Sequence, residues 1–446
     1  MRVYYHTFGC KANQYDTERM RQESEARGAL TARDRADADV FVVNTCTVTN
    51  QADAEARRFI RRLKRDHPQA SVVVAGCSAA LKEADYRAMP GVRDVVRGHD
   101  PVSVAVSVVA EPLGPLTQIE LRGDLDRLHI EPIGGDLLRR RRGASRGWLK
   151  VQDGCDRHCS FCATRLARGA SRSRSVDAVV QEARLLAQIH AELVITGIHI
   201  GHYGADLKGS ETLSTLCAVL LDEVPDVRFR LGSVEATELD DRLVALLSTS
   251  GGWLVPHLHM PLQSGADPVL KRMRRWHTRE QYRVRALEIA DRVGHLGLGA
   301  DVITGFPGET DRDHETTRAL IEELPFTYLH VFPFSPRDDT VAAELPHPVP
   351  QRVAGERARE LRELALAKGH AYREARVGTV VAVIPEGEGG TGLTEDYLRV
   401  RISGRPGDPV TPPKTELRSA IVQGTLLGDA DDLYIDVPSE LASIQS

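Results

Sequence analysis

The chain has 446 residues, of which 41% are hydrophobic and 27% are charged, and its formal net charge is −5. This length predicts roughly two to four domains, and the composition excludes a disordered chain. No run of about 18 apolar residues occurs, and the first residues show no secretory signal, so we expect a cytoplasmic protein without a membrane span. Because disulfides are rare in that compartment, the seven cysteines are interpreted first as metal ligands or catalytic thiols.

Basic residues are clustered despite the acidic net charge. Four consecutive arginines occupy positions 139–142, more basic residues follow between 146 and 174, and another cluster spans 271–275. A local basic face can bind phosphate on a protein that is acidic overall. The clusters therefore leave a nucleic-acid partner open, beside the alternative of an arginine-rich solvated surface.

The first ~110 residues alternate between strand and helix patterns. Three apolar runs predict strands and two charged segments predict helices, in the order MRVYYHTFG, QYDTERMRQESEARG, DVFVVNT, QADAEARRFIRRLKRD and SVVVAG. This βαβαβ order predicts an open parallel sheet with helices on both faces.

Six further strand patterns follow from Trp148 onward, with helical stretches between them. They are WLKVQ, ELVITG, VRFRLGS, PHLHMPL, LGADVITG and YLHVFPFS. Six βα repeats predict an open, partial barrel better than a complete eightfold one. After a last predicted helix, QRVAGERARELRELALAKGHAYREA, the short patterns GTVVAVI, YLRVRI, LRSAIVQGTLL and DLYIDV predict a small β-barrel.

We therefore expect an α/β protein of three domains. The open parallel α/β sheet is expected at 1–112, the partial (β/α)6 barrel at 141–371 and the small all-β barrel at 372–440. The segment 113–140 is rich in proline, glycine and charge, which predicts a linker.

Three cysteines form a C-x3-C-x2-C pattern on one short loop after the first barrel strand. They are Cys155, Cys159 and Cys162, called here the barrel triad. Three thiolates on one loop suit an iron–sulfur cluster or zinc. A structural zinc site needs four ligands, and His158 directly precedes Cys159, which makes a tetrahedral set from this loop awkward. A cluster held by three cysteines leaves one iron open to a substrate or cofactor.

Three more cysteines each follow one of the strands predicted in the first domain. They are Cys10, Cys46 and Cys77, called here the amino-terminal triad. The carboxyl ends of parallel strands lie side by side, and ligands bind there. We therefore expect these cysteines to converge on one site, the alternative being three buried free thiols. Cys217, on the apolar side of a predicted helix, is expected to fill the core.

These motifs together resemble one known family. The C-x3-C-x2-C loop, with Phe161 before its last cysteine, resembles the radical S-adenosylmethionine (SAM) enzymes. The segments TFGCKANQYDTE, VVNTCTVTN and VVVAGC resemble the amino-terminal domain of the methylthiotransferases, and PLQSGADPVLKRMRR and ADVITGFPGET are typical of that family. The segment GLTEDYLRVRI resembles its RNA-binding TRAM module.

The resemblance implies two 4Fe–4S clusters and S-adenosylmethionine as cofactors. The barrel triad would hold one cluster, whose open iron binds SAM and whose electron cleaves it to methionine and a 5′-deoxyadenosyl radical. The amino-terminal triad would hold a second cluster, which carries or donates sulfur. A second SAM would supply the methyl group.

The resemblance also suggests residues that contact SAM. Phe161, Ser233 and Glu235 are the expected cofactor-binding residues, and His199 is a further site candidate after the second barrel strand. No catalytic residue is assigned beyond the cluster ligands. The chain departs from the family after its third loop cysteine, where the family usually has branched apolar residues and a proline; the run here is Ala163, Thr164 and Arg165.

The implied activity is addition of a methylthio group to C2 of N6-threonylcarbamoyladenosine at position 37 of tRNA. The segment TFGCKANQYDTE, with Lys11 directly after the cysteine, resembles the branch that acts on this nucleoside. The isopentenyladenosine branch usually has Gln-Met in place of Lys11 and Ala12. A threonylcarbamoyl group carries a carboxylate, which needs a cationic partner when buried. Lys11, Arg165 and Arg168 are the candidate partners, with tRNA phosphate as the alternative role of all three.

Other functions remain open from the sequence. The same chemistry could act on N6-isopentenyladenosine in tRNA or on a ribosomal protein aspartate, and the non-enzymatic alternative is an iron–sulfur protein that binds RNA or transfers electrons. The expected partners are tRNA and a low-potential electron donor, while the sulfur source is left open. The small β-barrel is expected to bind tRNA phosphates through Arg399, Arg401, Lys414 and Arg418.

Overall fold

The computed structural model describes residues 1–109, 137–386, 390–402 and 421–436. Most of the linker predicted at 113–140 lies outside the described residues, as do Lys414 and Arg418. The described chain contains a parallel sheet, an open barrel and a small closed barrel, in that order. Among its helices, none combines the length and the apolar character that crossing a bilayer requires.

The first part of the chain is a five-stranded parallel sheet flanked by helices. Its strands are β1 (Arg2–Thr7), β2 (Leu30–Thr31), β3 (Val40–Thr45), β4 (Ser71–Gly76) and β5 (Val92–Val95). Their spatial order is β2-β1-β3-β4-β5. The helices are α1 (Lys11–Ala26), α2 (Asn50–Asp66), α3 (Cys77–Leu81), α4 (Glu83–Arg87) and α5 (Pro101–Val109).

The two central strands of this sheet are buried on both faces. β3 and β4 have the sequences VFVVNT and SVVVAG, and nearly all of their residues are buried. A parallel sheet needs helices on both faces, and α2 covers one of them with Phe59, Ile60 and Leu63. Because β1, β3 and β4 are neighbours and parallel, their carboxyl ends share one edge of the sheet.

The middle part contains eight strands and eight helices. Its strands are β6 (Arg146–Lys150), β7 (Gln152–Asp153), β8 (Arg172–Ser173), β9 (Glu192–Thr196), β10 (Arg228–Leu231), β11 (His257–His259), β12 (Gly297–Thr304) and β13 (Tyr328–Pro333). Its helices are α6 (Thr164–Arg168), α7 (Val176–Ala187), α8 (Leu213–Glu223), α9 (Asp241–Thr249), α10 (Asp267–Arg272), α11 (Arg279–Val293), α12 (Asp311–Glu323) and α13 (Gln351–Arg376).

Six of these strands form an open parallel barrel, as the sequence predicts. β6, β9 and β10 are hydrogen-bonded neighbours, as are β11, β12 and β13, and parallel bridges join the two groups, one of them between Ser233 and His259. Leu258, Leu298 and Val331 pack outward in the main core. Because side chains alternate along a strand, the intervening residues of these strands face the lumen of the barrel.

The last part is a small closed β-barrel, which confirms the predicted all-β module. Its strands are β14 (Val380–Glu386), β15 (Thr391–Thr394), β16 (Arg399–Ile402), β17 (Val422–Gly428) and β18 (Leu433–Asp436). Arg230, on β10, donates a hydrogen bond to the carbonyl of Thr394 (2.9 Å). Tyr397 stacks on His257 with ring centroids 4.3 Å apart. The module therefore closes the floor of the open barrel, at the amino-terminal ends of its strands.

Strands β2, β5, β7, β8 and β15 are not predicted from the sequence. These strands span only two to four residues each, which is too short for a recognisable alternation. Helix α1 begins at Lys11, directly after Cys10, whereas the predicted helix started at Gln14. The first turn of α1 is therefore part of the edge where the amino-terminal triad lies.

Candidate functional site

The barrel triad lies on the loop between β7 and α6. The loop starts at Gly154, whose φ of +69° is in the left-handed region that favours glycine. The amide of Cys155 donates to the carbonyl of Gly169 (3.1 Å), and the amide of Ser160 donates to the carbonyl of Met273 (3.0 Å). The loop backbone is thus fixed both at its base and at its middle.

N–H donors lie close to two of the three sulfurs of this loop. The amide of Arg157 lies 3.4 Å from Sγ of Cys155, and Nη1 of Arg275 lies 3.6 Å from Sγ of Cys159. Burial raises the pKa of Cys159 to about 11, although Arg275 opposes this effect. The free thiol is therefore protonated, and metal binding would release its proton. A metal–thiolate site is anionic, and hydrogen-bond donors beside its sulfurs stabilise that charge.

His199 joins the barrel triad to a carboxylate. Its Nδ1 lies 3.7 Å from Sγ of Cys155, and its Nε2 lies 2.8 Å from Oε2 of Glu238. Burial lowers the pKa of His199, but its bonds to Cys155 and Glu238 outweigh burial and raise it to about 9. Arg157 also donates to Glu238 (2.8 Å). Glu238 is not among the site residues predicted from the sequence, although it follows the predicted Glu235 by three residues.

Glu235 lies deep in the site and shares an arginine with the barrel triad. It is only 8% exposed, and it accepts a hydrogen bond from Arg275, the side chain that also reaches Cys159. Burial raises the pKa of Glu235, while Arg275 lowers it. The structure therefore places Glu235 beside the cysteine loop and not on the surface.

The other two residues expected to contact SAM have different surroundings. Ser233 is exposed just beyond β10. The ring of Phe161 packs edge-to-face on Phe306, with centroids 6.5 Å apart, against an apolar cluster that includes Phe334. Phe161 thus supports the loop from its apolar side.

The amino-terminal triad lies at the shared edge of β1, β3 and β4. Cys10 is exposed, whereas Cys46 and Cys77 are 4% and 6% exposed. Gly9 has a φ of +100°, and a Cβ there would lie 2.7 Å from Sγ of Cys46. The close packing of Gly9 on Cys46 brings the loop after β1 against the loop after β3.

Asn13 holds the loops of the amino-terminal triad together. Its Nδ2 donates to the carbonyls of Phe8 (2.9 Å) and Thr45 (3.0 Å), and its Oδ1 lies 3.7 Å from Sγ of Cys77. Burial raises the pKa of Cys46 to about 11 and that of Cys77 to about 12. These thiols, like Cys159, would have to lose protons to bind metal.

A buried ionic network connects the two triads across the domain interface. Arg168 donates to Asp16 (2.8 Å) and to Asp153 (2.8 Å), and Lys150 donates to the same carboxylates at 2.6 and 3.0 Å. Burial raises the pKa of both carboxyls, but the two cations outweigh it and hold each pKa below its usual value. Arg168 also donates to Oδ1 of Asn13 (2.6 Å).

Three residues of the predicted basic clusters are internal, whereas others remain exposed. Lys150, Arg168 and Arg174 are at most 5% exposed, because they pair with buried carboxylates. Other members of the clusters remain exposed, namely Arg139, Arg140, Arg142, Arg172, Lys271 and Arg274. The three buried cations hold parts of the fold together, a role that a count of charges does not distinguish from phosphate binding, and the exposed ones leave a phosphate partner open.

The lumen of the barrel carries a polar cluster that is not predicted from the sequence. Oδ1 of Asp301 lies 3.1 Å from Nε2 of His259 and 3.2 Å from Nδ1 of His330. Within the described ranges, this is the one group of three such side chains whose ligand atoms all lie within 4.8 Å of one another. The three sulfurs of neither triad lie all within that distance of one another.

The floor of the lumen is built around one buried carboxylate. Glu192 accepts from Nε of Arg228 (2.7 Å) and Nε of Arg230 (2.8 Å), and Arg146 lies 3.5 Å away. Burial raises the pKa of Glu192, but the arginines outweigh it and hold the pKa far below its usual value. Lys11 reaches this region from the first domain: burial, followed by the charges of Arg146 and Arg230, lowers its pKa to about 8.

Comparisons with known proteins match the first and the middle part of the chain to separate families, and they align most of the chain with known relatives. Residues 2–98 match the family described as "Uncharacterized protein family UPF0004", and residues 149–321 match the Radical SAM superfamily. The chain is 35% identical over 426 residues to the threonylcarbamoyladenosine tRNA methylthiotransferase MtaB of Bacillus subtilis, covering 90% of each chain. It is 33% identical over 429 residues to the protein of that name from Aquifex aeolicus, covering 91% of this chain and 97% of that one.

A second group of relatives carries another substrate in its name. The tRNA-2-methylthio-N(6)-dimethylallyladenosine synthase of Bacillus subtilis is 31% identical over 398 residues, covering 87% of this chain and 76% of that one. Both groups are methylthiotransferases of tRNA, and both align with most of this chain. The chain therefore belongs to the radical SAM tRNA methylthiotransferases, enzymes that use S-adenosylmethionine and iron–sulfur chemistry.

Proposed function

We propose that this enzyme adds a methylthio group to C2 of N6-threonylcarbamoyladenosine at position 37 of tRNA, using two 4Fe–4S clusters. The observation that carries the proposal is the pairing of two cysteine triads. Each lies beyond the carboxyl ends of parallel strands, and the buried network of Asp16, Lys150, Asp153 and Arg168 joins them. Ligand sites form at such strand ends.

The cysteines of the two triads fit this role by their chemistry. Each triad offers three thiols, and two of them lie close to N–H donors or a buried guanidinium: Cys46 and Cys77 in one triad, Cys155 and Cys159 in the other. When bound, the barrel cluster would supply the electron that cleaves SAM, and the amino-terminal cluster would carry the sulfur. We assign to Arg275 and the amide of Arg157 the stabilisation of thiolate charge, and to Glu235 and Ser233 contacts to SAM.

The relatives support the choice of substrate. Four threonylcarbamoyladenosine enzymes are 33–35% identical to this chain, whereas four dimethylallyladenosine enzymes are 30–32% identical. The polar lumen, with Lys11, His259 and His330, favours a charged side chain over an apolar isopentenyl group, because an apolar group gains nothing from such a lining.

The same proposal assigns a role to each domain and requires two partners, tRNA and an electron donor. Residues 1–112 would carry the second cluster, 141–371 the radical chemistry, and 372–440 the docking of tRNA, with 113–140 as linker. A low-potential electron donor is required, because SAM cleavage consumes an electron. Arg399 is exposed on β16 and available to phosphate, whereas Arg401 pairs with Asp432 (2.6 Å).

The substrate assignment is tested with the reconstituted enzyme, SAM, dithionite and two tRNAs. One tRNA bears threonylcarbamoyladenosine and the other isopentenyladenosine, and the nucleosides are analysed by mass spectrometry. We expect the mass of an added methylthio group only on the threonylcarbamoyl nucleoside. Modification of the isopentenyl nucleoside alone would overturn the substrate. A parallel reaction offers ribosomal protein in place of tRNA, and a methylthio group on its aspartate with none on either tRNA would overturn the tRNA assignment.

A further inference from the structure

The wall of the barrel lumen formed by β13 carries two exposed aromatic side chains. Tyr328, His330 and Phe332 alternate with Leu329 and Val331, which pack in the main core, so the three rings face the lumen. The side chain of His330 is 54% exposed and Phe332 is 45% exposed, and their ring centroids lie 6.4 Å apart. Open aromatic rings on an inner wall offer a bound nucleoside a surface for stacking.

A chain of hydrogen bonds fixes the ring of His330 from one side. An ionised carboxylate only accepts, and Oδ1 of Asp301 lies 3.1 Å from Nε2 of His259 and 3.2 Å from Nδ1 of His330, so both nitrogens donate to it. Burial raises the pKa of Asp301, but the bonds from the two histidines outweigh it and hold the pKa below its usual value. The chain continues from Nδ1 of His259 to the hydroxyl of Tyr328 (3.2 Å).

This chain of bonds leaves one ring nitrogen unused. Both nitrogens of His259 are engaged, one by Asp301 and the other by Tyr328. Nε2 of His330 has neither a hydrogen bond nor an ion pair within the described ranges of the chain. Because it belongs to a half-exposed side chain on the wall of the lumen, a molecule bound in the lumen can reach it.

Two histidines and one carboxylate are also a known set of metal ligands, but the hydrogen bonds of this cluster do not favour a metal. Nε2 of His259 and Nδ1 of His330 both donate protons to the same oxygen of Asp301, whereas a metal takes the lone pairs of such nitrogens. The nitrogen that remains free belongs to His330 alone. A ligand there meets one hydrogen-bonding group held in place by a carboxylate, and not a cage of metal ligands.

We propose that His330 is a specificity-determining residue whose free Nε2 forms a hydrogen bond with the threonylcarbamoyl side chain of the target nucleoside. This inference rests on the proposed function, because it names a group that recognises that substrate. The threonylcarbamoyl chain offers N–H and O–H donors as well as a carboxylate, so a neutral ring can accept and a protonated ring can donate. Beyond N6, the isopentenyl chain contains only carbon and hydrogen, and it would leave the nitrogen enclosed without a partner.

The test measures how tightly the anaerobic holoenzyme, without SAM, binds two tRNAs of the same sequence. One bears threonylcarbamoyladenosine at position 37 and the other isopentenyladenosine, and fluorescence anisotropy gives each Kd. The variants are His330→Phe, which keeps a ring but removes both nitrogens, and His330→Gln, which restores a hydrogen-bonding group. The matched control is His370→Phe, because His370 lies on α13 with a side chain 44% exposed and Nδ1 3.4 Å from Glu374.

We expect the wild-type enzyme to bind the threonylcarbamoyl tRNA roughly 10- to 100-fold more tightly, the usual range for a hydrogen bond that involves a charged group. His330→Phe should lose most of this ratio by weakening that tRNA alone, and His330→Gln should keep a larger part of it. His370→Phe should match wild type. A loss of folding or of a cluster would weaken both tRNAs and leave their ratio unchanged.

Three results would overturn the role of His330 while the proposed function stands. The first is an undiminished ratio in His330→Phe, and the second is an equal loss in His330→Gln, which would indicate lost packing and not a lost hydrogen bond. The third is the loss of one metal ion per chain in His330→Phe with unchanged labile sulfide, which would make the cluster a metal site. Methylthiolation of the isopentenyl tRNA alone by the wild-type enzyme, measured by mass spectrometry, would instead overturn the proposed function itself.

Discussion

Arg168 and Asp16 form a buried ion pair of 2.8 Å between the first two domains. Arg168 follows Cys162 by six residues, and Asp16 follows Cys10 by six residues. The pair therefore links the two cysteine loops, because each partner lies only six residues from a cysteine of its own loop. We infer that the spacing between the two triads is set by this docking and not by either domain alone.

Replacing Arg168 by methionine should uncouple the two sites. The change leaves Lys150 as the cation that still contacts both Asp16 and Asp153, and breaking a buried pair in this way costs about 3–5 kcal/mol. We expect methylthiolation to fall much further than 5′-deoxyadenosine formation, because only the former needs both triads in register. Both products are measured in the same reaction, together with the melting temperature.

The matched control is Arg172→Met. Arg172 lies nearby and approaches Asp153 at 3.7 Å, but its side chain is 50% exposed, so its pairing is weak. An equal loss of both products in Arg168→Met, with Arg172→Met unchanged, would show that Arg168 supports the barrel loop alone and not the coupling.

The two triads should be separable by substitution. We expect replacement of Cys10, Cys46 and Cys77 by alanine to reduce iron and labile sulfide by roughly half, because one of the two proposed clusters would be lost. SAM cleavage should persist and methylthiolation should stop. Replacement of the barrel triad should abolish cleavage. Iron, sulfide and 5′-deoxyadenosine are the readouts, and full iron content in the amino-terminal variant would contradict the second site.

The sequence predicts those features that depend on local pattern. The edge position of Cys46 follows from a buried strand that ends just before it, and the partial barrel follows from six strand patterns in order. The role of Arg168 does not follow from local pattern, because its carboxylate partner Asp16 lies in another domain. A run of arginines looks the same whether it binds phosphate or carboxylate. The lumen cluster of Asp301 and His330 also depends on strand register, which periodicity alone does not fix.

Glu192→Gln should destabilise the middle domain. Glu192 is fully buried and neutralises Arg228 and Arg230, so loss of its charge should cost about 3–5 kcal/mol at neutral pH. The folded pKa lies below the ordinary value of 4.5. The stabilisation is therefore complete above pH 4.5 and is lost as the pH falls through the depressed range. Denaturant unfolding of both proteins at several pH values measures the difference.

The control for acid effects is Glu223→Gln. Glu223 pairs with Arg184 on the surface, and such exposed pairs contribute little. It should match wild type at every pH, so effects of acid on the whole protein cancel in the comparison. A gap between Glu192→Gln and wild type that stays constant well below pH 4.5 would contradict the depressed pKa.

Arg399 and Arg401 offer a matched pair for testing tRNA docking by the small β-barrel. Both lie on β16, but Arg399 is exposed, while Arg401 is held by two bonds to Asp432 at 2.6 and 2.7 Å. An arginine already neutralised by a carboxylate has less to gain from phosphate. We therefore expect Arg399→Gln to weaken tRNA binding and Arg401→Gln to have a smaller effect.

The salt dependence distinguishes phosphate contact from a general loss of structure. Loss of one phosphate contact should lower the slope of log affinity against log salt by about one, and it should do so on any tRNA sequence. Binding is measured by fluorescence anisotropy between low and moderate salt, with 5′-deoxyadenosine formation as the check on the radical site. If Arg399→Gln leaves both affinity and slope unchanged, tRNA does not dock on this face of the barrel.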